Sequence, residues 1–146
     1  MKSVEKPFGS LADGREVRLF TFRNDNGYEL SVMNYGGIIT SFKAPDRDGE
    51  VEEITIGYNT LGEYLQGHPF FGATVGRVAN RIRSSGITVD GDYYELSPSP
   101  SQQVHLHGGA EGFDKKLWEA TEVSPTPTSR GVQLDLLSPD GDQGYP

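Results

Sequence analysis

Three short segments of this 146-residue chain gather side chains that could do chemistry. The densest is Gly72-Ala73-Thr74-Val75-Gly76-Arg77-Val78-Ala79-Asn80-Arg81-Ile82. Its glycines permit close backbone approach, and two arginines and an asparagine stand together near its end. Two readings are open. One is a turn carrying solvated arginines. The other is a cleft wall in which Asn80 and Arg81 hydrogen-bond hydroxyl groups, a task that planar amide and guanidinium groups suit because their polar atoms lie at fixed angles.

The second segment is Val104-His105-Leu106-His107-Gly108-Gly109. On an extended backbone His105 and His107 share a face, as a metal pair would. A third ligand is missing, since His68 lies in a separate, Pro-flanked loop, so no metal is assigned. A histidine followed by two glycines at a strand end also suits hydrogen bonding or proton transfer at a ligand, with a plain structural histidine as the alternative. The third segment, Gly112-Phe113-Asp114-Lys115-Lys116-Leu117-Trp118, holds the one tryptophan, a core anchor or a sugar-stacking surface. The remaining acidic residues are too scattered to mark a glycosidase pair.

Short strands must position these segments. Val17 to Arg23 and Tyr28 to Asn34 alternate apolar and polar residues around Asn24-Asp25-Asn26-Gly27, which predicts a hairpin. Ile38 to Ala44 predicts a third strand, closed by Pro45-Asp46-Arg47-Asp48-Gly49, and Val51 to Ile56 a fourth. Thr60 to Leu65 is the only helical stretch, with Thr60 and Glu63 at capping-box spacing. Ile87 to Val89 and Tyr93 to Leu96 flank Asp90-Gly91, a second hairpin signal. Leu117 to Val123 and Val132 to Leu137 complete an antiparallel β protein, a sandwich or barrel. The turn-rich Asp140 to Pro146 would normally lead into another strand, so the last sheet is expected to continue beyond this chain.

Composition narrows the partners. Thirteen basic and 21 acidic residues leave a net charge of −8. That balance disfavours nucleic acid and anionic membranes, and it suits a neutral small molecule. There is no cysteine, hence no disulfide or thiolate metal site. The N-terminus lacks the apolar region of a secretory signal, so a cytoplasmic location is expected.

The order of motifs resembles a known family. Asn34-Tyr35-Gly36-Gly37, Pro45-Asp46, Gly57-Tyr58, Phe70-Phe71-Gly72-Ala73, Gly76 to Ile82, Leu106-His107-Gly108-Gly109, Gly112-Phe113-Asp114 with Trp118, and Ser138-Pro139-Asp140-Gly141 are similar to the first half of an aldose 1-epimerase, or galactose mutarotase. The resemblance implies an antiparallel β-sandwich of the galactose mutarotase type, with residues 1–146 forming the N-terminal part of one domain. It implies a cofactor-free interconversion of the α and β anomers of hexoses such as galactose and glucose. A general base removes the C1 hydroxyl proton while a general acid protonates the ring oxygen. Asn80, Arg81 and His107 are then the sugar contacts, with His107 beside the ring and assisting. Arg77, Phe70 and Phe113 would give structural support.

The family's general-acid histidine and general-base glutamate have no counterpart in these residues, so this chain alone is expected to be a poor catalyst. A non-catalytic sugar-binding protein is the alternative. An epimerase for phosphorylated sugars would need a basic cluster, and none is visible. One position departs from the family pattern: Val104, followed by His105, stands where an asparagine is usual.

Overall fold

The computed structural model describes residues 1–83, 86–99 and 104–146. Five strands, β1 (Lys2–Ser10), β2 (Glu16–Arg23), β3 (Glu29–Met33), β4 (Ile38–Pro45) and β5 (Val51–Glu53), form one antiparallel meander in chain order. Side-chain chemistry in the turns fixes their register. Asn24 Oδ1 accepts from the amides of Asn26 and Tyr28, and Asp46 Oδ1 accepts from those of Asp48 and Glu50. Each turn thus closes on its own first side chain, as Asx turns do.

Both faces of β2 are covered. Val17 and Leu19 point one way and cluster with Met33, Tyr35 and Ile38, and with Leu61 and Tyr64 of the short helix α1 (Leu61–Leu65). Phe20, Phe22 and Val32 are buried on the other face, as a period of two requires. The expected capping box at Thr60 and Glu63 is present.

Beyond α1 the regular structure comes in small pieces. β6 (Arg81–Ile82) pairs with β9 (His105–Leu106), and β7 (Gly86–Val89) pairs with β8 (Asp92–Glu95) across Asp90-Gly91. Both turn residues have positive φ, 52° and 96°. β10 (Glu119–Val123) and β11 (Gly131–Asp135) form a ribbon against the second face of the large sheet. There Val132 and Leu134 share a groove with Phe22, Leu30, Val32 and Phe42. The all-β, antiparallel architecture matches the sequence reading. Among the described residues, no helix is long and apolar enough to cross a membrane.

Several boundaries differ from the sequence expectation. β1 was not anticipated, because Lys2, Glu5, Lys6 and Pro7 do not read as a strand. It is an edge strand, where charges and a proline are tolerated, and a bulge follows Pro7. β5 stops at Glu53, leaving Ile54 and Ile56 exposed. Leu117 lies outside β10 and bridges to Tyr35 instead. Part of the expected Ser97 to Ser101 loop, residues 100–101, lies outside the described residues.

Besides its ladder to β4, β5 is tied to that strand by one carboxylate. Burial alone would raise the pKa of Glu53, but the Ser41 and Thr55 hydroxyls and the amides of Phe42 and Thr55 all donate to it. They hold it at about 2, below the ordinary 4.5. Because the folded pKa is depressed, the stabilisation is complete above pH 4.5 and is lost as pH falls toward 2. Glu53→Gln is expected to destabilise the fold by about 1 kcal/mol at pH 7, the exposed site being screened. The two proteins should converge in thermal melts near the acid limit. An equal deficit at both pH values would refute this account of β5.

Candidate functional site

The turn between β3 and β4 holds two otherwise irregular segments. The Gly36 amide donates to Lys116 O (2.7 Å), the Trp118 amide to Asn34 O (2.8 Å), the Ile39 amide to Gly72 O (2.9 Å) and the Thr74 amide to Gly36 O (3.2 Å). The Asn34 side chain, almost wholly buried, accepts from the Arg18 amide (2.8 Å) and donates to Trp118 O (3.3 Å). Gly36 is required at its position. Its φ is 66°, and a Cβ there would lie 2.2 Å from Asp114 O.

Between the two segments opens a cleft of about 560 Å³, whose lining includes Tyr35, His68, Phe70, Arg81, His107 and Asp114. That volume falls in the usual range for small-molecule sites, roughly 300–1,000 Å³. Arg81 and His107, 26 positions apart in sequence, therefore meet on one cleft. The β6–β9 pairing is responsible, since it sets Arg81 against Leu106 and brings Asn80 beside His107.

Asn80 acts on both neighbours and is not itself part of the lining. The His107 amide donates to Asn80 O, and the Asn80 amide donates to His107 Nδ1, both at 3.0 Å. Arg81 Nη1 donates to Asn80 Oδ1 at 3.2 Å. An amide can only donate, so His107 Nδ1 is the ring's acceptor and the proton of the neutral ring sits on Nε2. His107 stands against Phe70, with ring centroids 4.5 Å apart. Phe70 is therefore a lining residue as well as a support.

His105 and His107 do not share a face. His107 has φ of 51°, which breaks the strand alternation. His105 is fully buried, with Nδ1 2.7 Å from Ser97 O and Nε2 2.7 Å from the Tyr145 hydroxyl. It is a satisfied core histidine. Gly108 follows in the left-handed region, and a Cβ there would lie 1.7 Å from Gly76 O, so the Leu-His-Gly-Gly and Gly-Arg segments pack backbone to backbone. Arg77 supports that contact, donating to the Ser138 hydroxyl and to the carbonyls of Ser138 and Pro139. Trp118 is half-buried, edge-on to Phe113, and donates to Phe113 O. It does not line the cleft.

Two lining residues escaped the sequence reading. His68, set aside as belonging to a separate loop, reaches the same cleft through Phe70. Asp114 faces it, with His68 Nε2 4.0 Å from Asp114 Oδ2. Their side chains are 3% and 2% exposed. Burial pushes the Asp114 carboxyl up, against the opposing pull of Lys115 and His68. Burial likewise pushes His68 down, against the opposing pull of Asp114. The only early signal was the pairing of an acidic residue with the Gly112-Phe113 motif. Among the described residues no group of three His, Cys, Asp or Glu is placed to hold a metal ion.

Residues 18–146 match the family model for aldose 1-epimerase. The chain belongs to the aldose 1-epimerase family. It is 41% identical over 140 residues to the galactose mutarotase of Sus scrofa, which spans 95% of this chain and 39% of that protein. It is 41% identical over 134 residues to the aldose 1-epimerase of Escherichia coli K12, covering 92% of this chain and 37% of that one. The crystal structure of galactose 1-epimerase from Lactobacillus acidophilus NCFM superposes with a TM-score of 0.81 at 28% identity, covering 99% of this chain and 41% of its own. The chain thus spans about two-fifths of the length of these aldose 1-epimerase relatives.

Within this epimerase fold, stability and site separate cleanly. Asn34→Ala would leave the Arg18 amide and Trp118 carbonyl without partners, at a cost of about 2–3 kcal/mol. Arg81→Ala, at an exposed position, is expected to stay within about 0.5 kcal/mol of the parent. Urea unfolding checks both: a lowered midpoint at constant slope for the first, and a superimposable curve for the second.

Proposed function

We propose that this chain carries the sugar-contact part of an aldose 1-epimerase acting on hexoses such as galactose and glucose. The observation that supports it most is the convergence of Arg81 and His107 on one cleft, with Asn80 bonded to both. Arg81 offers several donors in a rigid fork, matched to neighbouring hydroxyls. His107 offers one fixed donor, Nε2–H, to a sugar oxygen, and Phe70 keeps its ring in place.

Anomer exchange requires proton removal at the C1 hydroxyl and proton delivery to the ring oxygen. A positioned acid or base contributes about 10²–10⁴-fold each. His107 binds and polarises the sugar, and by the family resemblance the principal acid and base lie outside these residues. Sugar binding without rapid turnover is therefore the expected behaviour of this chain by itself.

Titration calorimetry with D-galactose, together with polarimetry of freshly dissolved α-D-galactose, tests the reading. Galactose is expected to bind, and Arg81→Ala and His107→Ala should each weaken it about tenfold, equivalent to about 1.4 kcal/mol. The mutarotation rate should stay within a few-fold of buffer. Absence of binding by both galactose and glucose would overturn the hexose reading. Acceleration by several orders of magnitude would overturn the division of labour.

A further inference from the structure

The inner end of the cleft contains polar atoms that the fold leaves without partners. His68 Nδ1, His68 Nε2 and Asp114 Oδ1 are buried and accept or donate no hydrogen bond. The approach of His68 to Asp114, 4.0 Å, is too long for one between them. Buried polar groups in folded proteins nearly always find a partner, so each orphan asks for an explanation. Here all three belong to side chains lining the same cleft as Arg81 and His107.

The gap has a definite chemistry. One oxygen with legs of about 2.8 Å spans the 4.0 Å between His68 Nε2 and Asp114 Oδ2, whose neighbour Oδ1 is the orphaned oxygen of the same carboxyl, provided it accepts from one group and donates to the other. A hydroxyl does both. A carboxylate or phosphate would meet the Asp114 carboxyl and has no proton to give it. The ring of His68 is held between Tyr64 and Phe70, edge-on to both at 5.6 and 6.0 Å, so it is aimed before any ligand arrives.

We propose that His68 and Asp114 form a second hydroxyl-binding subsite of the cleft, accepting one sugar hydroxyl remote from the anomeric carbon and selecting for its presence. This rests on the hexose reading above. His68 is the specificity element, and Asp114 is its partner in recognition. A site built to hydrogen-bond a particular hydroxyl rejects the analogue that lacks it far more strongly than an apolar pocket rejects an extra methylene.

The test is titration calorimetry of D-galactose and its monodeoxy analogues against the chain and the variants His68→Leu, His68→Gln and Asp114→Asn, each with a thermal melt. His68→Leu removes orphaned polar atoms from a buried place, so its melting temperature is expected to hold or rise while galactose binds about tenfold more weakly or worse. One monodeoxy sugar should bind the parent as weakly as galactose binds His68→Leu, and lose nothing further in the variant. Should His68→Leu fail to fold, His68→Gln and Asp114→Asn carry the same comparison. Parent-like galactose binding in the folded variants overturns the subsite, and with it any role beyond holding a water molecule. Failure of the parent to bind galactose or glucose overturns the hexose reading and this inference together. The two failures are therefore distinct.

Discussion

Everything at the cleft depends on the backbone hydrogen bonds of one turn. The Asn34 to Ile39 segment, between β3 and β4, binds Gly72 and Thr74 on one side and Lys116 and Trp118 on the other. The large sheet is a meander of neighbouring strands and can form from local contacts. The cleft walls cannot. β6 and β9 are two residues long each, far too short to define a geometry alone. Their precision is borrowed from a rigid sheet through a turn whose close contact with Asp114 leaves no room for a side chain at Gly36. The Asn34 side chain extends the same clamp to Arg18 in β2, so sheet, turn and the Trp118 segment are joined through one residue.

Costly features accumulate where the clamp leads. Phe70, Asn80 and His107 all have left-handed backbones, with φ of 62°, 65° and 51°. Such residues cost of order 1–3 kcal/mol each, and so does a buried polar atom without a partner. His68 and Asp114 supply the latter beside the former. Total stability for a domain is only about 5–15 kcal/mol. Asp90 and Gln143 share the left-handed conformation elsewhere, but the unmet polar atoms of His68 and Asp114 lie in the cleft, whereas His105, two residues from His107, is fully satisfied.

Strands whose signal was local were legible in the sequence. The Asn24 and Asp46 turns, the Asp90-Gly91 hairpin and the Thr60 capping box each follow from side chains acting on their own backbone. β1 was not legible, because an edge strand is permitted charges and a proline, and nothing within Lys2 to Ser10 alternates. At the site, Asn80, Arg81 and His107 stood out by type and by glycine context. The relation of His105 to His107 was misjudged, since alternation along a strand fails at a residue with positive φ. His68 was passed over because sequence distance from the other histidines says nothing about a loop that folds back over Phe70. Asp114 stood in a segment the sequence singled out, but nothing in the sequence says that the Gly36 turn packs against it or that it faces His68.

The hydrogen bond from Asn80 to His107 also decides how this histidine is presented to the cleft. A histidine acts as a general acid from its imidazolium form, in which both ring nitrogens carry a proton. Here the Nδ1 lone pair faces a backbone amide, which can donate but never accept. Protonation at Nδ1 would set two N–H groups against each other and break the contact that positions the ring. With Nδ1 so occupied, Nε2 is the ring nitrogen that His107 presents to the cleft. Arg81 and His107 share this cleft with the His68–Asp114 gap, so its polar groups are set in place by the fold.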